Sequence, residues 1–165
     1  MHLQALRPDH APEVLAFELA NRAYFAASIS DRGDAYFEEF GERYDELLAQ
    51  REAHREAYYA LVDDDGSVLG RFNLYGIEGG VAEVGYRVAE RAAGRGVATA
   101  GVLELCRVAA SEHGVRALRA RTTHDNVASQ RVLAKAGFVA AGEADVAGRR
   151  GIWFERELEP VRATP

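Results

Sequence analysis

A strand that leads through a glycine turn into a helix is the feature that most constrains the fold of this chain. Residues 81–88 alternate apolar and polar side chains with the period of a β-strand, and an apolar-striped helix follows the turn and ends near Gly114. Gly94 and Gly96 let an anion approach the turn closely, and the first N–H groups of the helix are free at its positive end. The segment therefore predicts a phosphate-binding turn.

Two common nucleotide-binding motifs do not account for this turn. The dinucleotide fingerprint requires Gly or Ala at its sixth position, where this chain has Thr99. A P-loop requires Gly-Lys followed by Ser or Thr, and the chain has no such triplet. Arg91 and Arg95 nevertheless add positive charge to the turn, as an anion site would need.

The segments around this unit predict a β-meander before it and alternating elements after it. Residues 58–62 and 68–75 flank the acidic turn 63–66 and predict a hairpin, with 81–88 as the third strand. After the long helix, the pattern predicts a strand, a helix and two more strands, at 118–122, 126–136, 138–142 and 151–158.

The first fifty residues predict one strand and then helices. Residues 3–7 read as the strand, and Asp9 is the predicted N-cap of the first helix. The segment 23–28 either extends that helix or forms a second one. Asp34 is the predicted N-cap of an amphipathic helix that ends near Ala53.

Together these elements predict an α/β fold, a mixed and mostly antiparallel sheet of about seven strands with helices on both faces. The chain has 165 residues, the length of one ordinary domain, and its four prolines all lie near its two ends. We therefore expect a single domain over residues 1–165.

The composition argues against several classes of protein. Uncharged stretches reach only about eight residues, whereas a membrane-spanning helix needs roughly twenty, and the start has no apolar secretory segment. The net charge of -6 argues against general binding to nucleic acid or to an anionic membrane. Cys106 is the only cysteine, which indicates a reducing cytosol, and its place on the apolar stripe predicts a core residue. The five histidines lack metal-ligand spacing, so we expect no metal centre.

A family resemblance rests on the turn and the segments beside it. Arg91, Gly94 and Gly96 match the pattern [QR]-x-x-G-x-[GA] between a strand and a helix. The chain thereby resembles the GNAT superfamily of acetyl-CoA-dependent N-acetyltransferases. Residues 83–88 and 126–129 look like its ribosomal-protein-alanine acetyltransferase (RimJ/RimL-like) branch. The resemblance covers roughly residues 61–154, and it implies the GNAT fold and acetyl-CoA as cosubstrate.

The resemblance also implies which residues hold acetyl-CoA. The pantetheine arm would pair with the strand backbone at Tyr86, Arg87 and Val88, as an added strand does. Asn126 matches a family position that contacts the cofactor, although Asn before an apolar run is also an ordinary helix N-cap. The pyrophosphate would lie on the turn and the helix start, formed by Arg91, Ala93, Gly94, Arg95, Gly96, Val97, Ala98 and Thr99.

Two residues are the candidates for catalysis. Glu83 occupies a point of the strand where family members often carry a carboxylate, and we expect it to act as general base, directly or through water. The alternative is a solvated Glu on the polar face of a strand. Ser129 matches a serine proposed to assist the departing thiolate, and its alternative is a hydroxyl that bonds its own helix. Other branches place Tyr where this chain has Leu133, which argues against acid catalysis by Tyr at that position.

The acceptor is the least constrained part of the prediction. The resemblance implies a primary amine, foremost the N-terminal α-amine of a protein such as a ribosomal protein. A free α-amine has a pKa of about 7.7 to 8.0 and is partly neutral near pH 7, whereas a Lys amine at about 10.4 needs more help. Small-molecule amines such as an aminoglycoside, a polyamine or an amino-acid-like metabolite remain alternatives, as does a CoA-binding module without turnover. The sequence leaves open whether the chain forms a homodimer.

Overall fold

The computed structural model describes residues 1–162 of the chain as one open seven-stranded sheet with helices on both faces. The strand order is β1-β2-β3-β4-β5-β7-β6. All neighbouring strands are antiparallel except β4 and β5, which are parallel. The predicted mixed sheet is therefore confirmed, and the last three residues of the predicted domain 1–165 lie outside the described part.

The strands follow the predicted order with small changes at their ends. Their bounds are β1 (His2–Ala5), β2 (Ala57–Val62), β3 (Val68–Glu78), β4 (Val81–Val88), β5 (Ala117–Thr123), β6 (Val139–Val146) and β7 (Arg149–Glu157). The helices are α1 (Ala11–Ala20), α2 (Arg22–Ala26), α3 (Asp34–Glu38), α4 (Phe40–Gln50), α5 (Val97–His113) and α6 (Val127–Lys135).

Two predicted helix starts are wrong. Asp9 lies in a short 3-10 turn, Pro8–His10, and its carboxylate binds Arg7, so α1 begins later and has no side-chain cap. The helix predicted from Asp34 to Ala53 is two helices, because Glu39 leaves the helical conformation with φ -103° and ψ 17°. Gly33, with φ 87°, precedes α3 in place of the predicted Asp34 cap. The bend separates Phe37, which lies against Arg22, from the core residue Phe40.

Each face of the sheet carries its own apolar core. Helices α1 to α4 cover one face with Val14, Phe17, Phe25, Phe40 and Tyr44. Helices α5 and α6 cover the other, where the core includes the predicted Cys106. The sheet therefore lies between two helix layers. An opening in the sheet would connect the side covered by α1 to α4 with the side covered by α5 and α6.

The parallel pair β4–β5 is the place where the sheet opens. Pairing covers only Val81–Glu83 against Ala117–Arg119, although β4 continues to Val88 and β5 to Thr123. On its other side β4 stays paired with β3 as far as Val88. The backbone of β4 beyond Glu83 therefore faces a gap rather than a neighbouring strand.

Candidate active site

A cavity of about 420 Å³ passes through the gap between β4 and β5. It reaches from the start of α6 on one face of the sheet to the segment after α2 on the other. Its lining residues are Ser28, Ile29, Ser30, Arg32, Arg71, Asn73, Tyr75, Val84, Gly85, Tyr86, Arg87, Ala120, Arg121, Thr122, Thr123, Asn126, Ser129, Leu133, Val146, Ala147 and Arg149. The predicted residues Tyr86, Arg87, Asn126 and Ser129 thus share one cavity.

On the α6 side, three of these side chains form a connected group. The Tyr86 hydroxyl lies 2.9 Å from Ser129 Oγ, and the Ser129 N–H donates to Asn126 Oδ1 over 3.2 Å. Asn126 is therefore the N-cap of α6, which was one of the two roles predicted for it; the other, contact with the cofactor, stays a prediction. The Tyr86 ring stacks on the fully buried Phe72, with centroids 5.9 Å apart. Burial raises the pKa of Tyr86, so its phenol stays protonated and can donate a hydrogen bond.

The glycine turn has the conformation that an anion site needs. Gly94 and Gly96 have φ of 73° and 76°, values that residues with a side chain rarely adopt. The first internal hydrogen bond of α5 runs from the Ala100 N–H to the Gly96 carbonyl, so the N–H groups of residues 97–99 have no acceptor within the helix. Residues 93–96 are exposed, whereas Val97 is buried and residues 98 and 99 are half-buried, so the turn itself is the part that is most open to a ligand.

One arginine of the turn is held by a neighbouring loop and the other by the turn itself. Arg91 Nη2 donates to Ser67 Oγ over 2.8 Å, which ties the turn to the β2–β3 hairpin. Arg95 Nη2 donates to the Arg91 carbonyl over 2.8 Å. Both side chains thus stay beside the turn and contribute positive charge at the N-terminal end of α5.

Glu83 is not brought together with Ser129. Its Oε1 accepts a hydrogen bond of 2.9 Å from Arg121 Nε, and its side chain is about one-third exposed. Glu83 lines a second, shallower depression with Tyr75, Arg119 and Trp153. Tyr75 and the Glu83-bound Arg121 also line the main cavity, so the carboxylate lies next to that cavity without lining it.

The side of the cavity away from α6 contains a cluster of arginines around one carboxylate. Glu18 of α1 is 1% exposed and makes ion pairs with Arg32 at 3.1 Å, Arg87 at 3.2 Å and Arg71 at 3.7 Å. Arg71 and Arg87 lie directly opposite each other on β3 and β4. Burial and the charges of Arg32 and Arg71 lower the pKa of Arg87, and Glu18 only partly opposes them. We call Glu18, Arg32, Arg71 and Arg87 the arginine cluster.

Two buried polar atoms, one in this cluster and one beside it, have no hydrogen-bond partner within residues 1–162. They are Arg71 Nε and Asn73 Oδ1, on residues that are 4% and 8% exposed, and both residues line the cavity. Buried polar groups are almost always paired, so an orphaned donor and acceptor in one cavity indicate a place for a polar ligand.

The sequence interpretation did not find this cluster. A signal was present, because Arg71, Asn73 and Tyr75 alternate along an otherwise apolar strand, and polar side chains on a central strand need partners. Glu18 carries no such signal, since it is one carboxylate among 26 acidic residues and meets the arginines only after α1 packs on β3.

No group of three or more His, Cys, Asp or Glu side chains in the described part of the chain could hold a metal ion. No helix within residues 1–162 has the length and apolar character needed to cross a bilayer.

Comparisons with known proteins place this geometry in a family. Residues 1–139 match the acetyltransferase (GNAT) domain. Over 96% of this chain and 91% of the relative, the sequence is 26% identical to "Probable N-acetyltransferase YjcK" of Bacillus subtilis (strain 168).

Solved structures share the fold at lower sequence identity. The ribosomal-protein-S5-alanine acetyltransferase of Vibrio fischeri superposes with a TM-score of 0.85 and 20% identity, covering 99% of this chain and 94% of that one. The spermidine N-acetyltransferase of Vibrio cholerae, solved with CoA and spermine, has a TM-score of 0.75 and 16% identity, covering 94% of each chain. The split sheet, the glycine turn and the match over residues 1–139 agree with the predicted resemblance: this chain belongs to the GNAT family and is an N-acetyltransferase.

Proposed function

We propose that this chain transfers the acetyl group of acetyl-CoA to a primary α-amine, in the first place the N-terminal amine of a protein. The observation that carries the proposal is the cavity through the sheet, which joins the Tyr86–Ser129 pair on one side to the buried polar atoms of Arg71 and Asn73 on the other. A thioester entering from the α6 side and an amine entering from the opposite side would meet at the gap.

Acetyl-CoA fits the α6 side by its chemistry. The exposed donors of the turn would bind the pyrophosphate, with Gly94 and Gly96 allowing close approach. The unpaired edge of β4 at Tyr86, Arg87 and Val88 would accept the pantetheine arm as an added strand. Solved family members such as the Vibrio cholerae enzyme contain CoA, which supports this donor.

The reaction then needs few groups. The neutral amine attacks the thioester carbonyl, so a C–N bond forms and the C–S bond breaks. Within the Tyr86–Ser129 pair one hydroxyl donates to the other, and the remaining O–H donates to the oxyanion or to the departing thiolate. The thiolate finally takes a proton from water. Glu83 takes the proton that the amine loses, and we propose that it does so through water, because its carboxylate is bound to Arg121 and does not line the main cavity.

Electrostatics within the cavity favour some acceptors over others. Five arginines line it and three carboxylates are ion-paired to them, so positive charge is in excess; the arginines are Arg32, Arg71, Arg87, Arg121 and Arg149, and the carboxylates are Glu18, Glu83 and Asp125. A polyamine or an aminoglycoside would place several positive charges against this surface. An α-amine with one ionisable nitrogen avoids that repulsion, so a protein N-terminus or an amino-acid-like metabolite is the better candidate.

A thiol-release assay tests the proposal. Acetyl-CoA is offered with Ala-, Ser- and Thr-starting peptides, with free amino acids and with spermidine. We expect release with the α-amines and little with spermidine. Release only with spermidine would overturn the choice of acceptor, and CoA binding without release across the panel would favour a binding module.

A further inference from the structure

The arginine cluster contains more positive charge than its own chain neutralises. Glu18 is the only carboxylate in contact with Arg32, Arg71 and Arg87 among the described residues, so two positive charges are in excess inside the fold. Like charges on directly opposed strand positions, as at Arg71 and Arg87, are destabilising. Such an arrangement persists when it serves binding rather than stability.

Arg71 is the member of the cluster best placed to bind a ligand. Its side chain is 5% exposed, its contact with Glu18 is long at 3.7 Å, and its Nε has no acceptor within residues 1–162. A buried guanidinium donor without an acceptor costs free energy that an incoming oxyanion would recover. Carboxylate and phosphate groups match the planar fork of a guanidinium.

Asn73 places an acceptor beside that donor. It lies two residues after Arg71 on the same face of β3, and its Oδ1 is unpaired while its Nδ2 donates to the Tyr75 hydroxyl over 2.9 Å. Asn73 is opposite Gly85, at the gap between β4 and β5. An amine at the gap could therefore donate a hydrogen bond to Asn73 Oδ1. Arg71 is the next residue on the same face of β3, two positions before Asn73.

We propose that the acceptor carries a negatively charged oxygen group within a few bonds of its amine, and that Arg71 and Arg32 bind this group. The inference rests on the proposed function and narrows its acceptor. The shared chemistry is an amine with a carboxylate or phosphate, found in a free amino acid, in O-phosphoserine or in a short acidic peptide end.

Matched acceptor pairs test the proposal. Thiol release is measured for serine against serinamide, for O-phosphoserine against serine, and for Ala-Asp against Ala-Asn dipeptide amides. We expect the more anionic member of at least one pair to have a kcat/KM about tenfold higher or more, and the responding pair identifies the source of the anion. Equal rates within all three pairs would overturn the inference while leaving acetyl transfer intact.

Arg32→Gln is the matching variant, because Arg32 lies on the outer, partly exposed side of the cluster. We expect it to reduce the preference for the anionic over the neutral acceptor severalfold, and Arg32→Lys to retain part of the preference. Arg107→Gln, which alters an exposed ion pair on α5, is the control. A preference that survives unchanged in Arg32→Gln would contradict the assignment.

A binding measurement keeps the inference testable if no acceptor is turned over. With the protein saturated by CoA, sulfate is titrated against chloride at constant ionic strength and the Tm is followed. A sulfate-dependent rise that shrinks in Arg32→Gln and not in Arg107→Gln supports the anion site even if acetyl transfer fails. An equal response in the parent and in Arg32→Gln would overturn it.

Discussion

The hydroxyl oxygens of Tyr86 and Ser129 lie 2.9 Å apart and connect β4 to the first turn of α6 at the gap in the sheet. Tyr86 is fixed from behind by the stacked ring of Phe72, and Ser129 by the N-cap bond from its N–H to Asn126. One of these hydroxyls donates to the other, so the pair holds one free O–H in a restricted position that can donate into the cavity during the reaction.

Ser129→Ala is expected to lower kcat by roughly tenfold to a hundredfold, with a small effect on the KM for acetyl-CoA, because a donor to the oxyanion or thiolate is lost. Tyr86→Phe should show a similar kcat effect. Ser111→Ala on the exposed end of α5 is the matched control. Steady-state thiol release measures all three, and an unchanged kcat in both site variants would show that the pair is only structural.

Glu83→Gln tests the proposed proton acceptor. Loss of the carboxylate should lower kcat/KM by about tenfold or more, because Gln cannot take a proton from the attacking amine. Glu155→Gln is the matched control, since Glu155 forms a similar ion pair with Arg119 at 3.1 Å on a neighbouring strand. If Glu83→Gln keeps the kcat/KM of the parent, as Glu155→Gln should, Glu83 is not the base.

Gly101→Ala should destabilise the protein by about 1–3 kcal/mol, through overpacking of the core. A Cβ at Gly101 would overlap the ring of Phe72, which is fully buried and supports Tyr86. Gly41→Ala in α4 is the control, because nothing lies within 4 Å of its added Cβ, and it should stabilise by up to about 1 kcal/mol. Urea unfolding compares them, and equal free energies of unfolding would refute the packing argument.

His10 is expected to make stability depend on pH. Its Nδ1 accepts the Arg7 N–H at 3.0 Å and its Nε2 faces Gln4 Oε1 at 3.2 Å, so the folded protein holds the neutral ring. Burial lowers the pKa of His10 below the ordinary 6.5. The unfolded chain therefore binds the proton first, and the free energy of unfolding should fall as the pH drops through 6.5 and level off below the lowered pKa.

Thermal unfolding between pH 5 and pH 8 measures this dependence. His10→Asn should lose this component of the slope. The exposed His54→Asn is the control and should keep the parent slope. A parent and a His10→Asn variant with the same slope would show that other groups cause the dependence.

Local patterns were sufficient where the structure depends on neighbours in sequence. The hairpin around residues 63–66, the strand 81–88 and the helix that ends near Gly114 all follow from periodicity and turn residues, and each is present. The break at Glu39 was not readable, because the apolar spacing from Phe37 to Phe40 fits a continuous helix. In the fold, Phe40 enters the core while Phe37 lies against Arg22 at the surface.

The sequence by itself determined the order of the helices and strands and the position of the glycine turn between β4 and α5, because periodicity, glycine and the order of elements are local properties of the chain. Tertiary structure alone decided how Glu18 meets Arg71 and Arg87, which come from elements that are distant in sequence. It also decided that Glu83 binds Arg121 beside the cavity while Ser129 faces Tyr86 within it. Which side chains share a cavity depends on where β4 and β5 stop pairing, and no local pattern encodes that point.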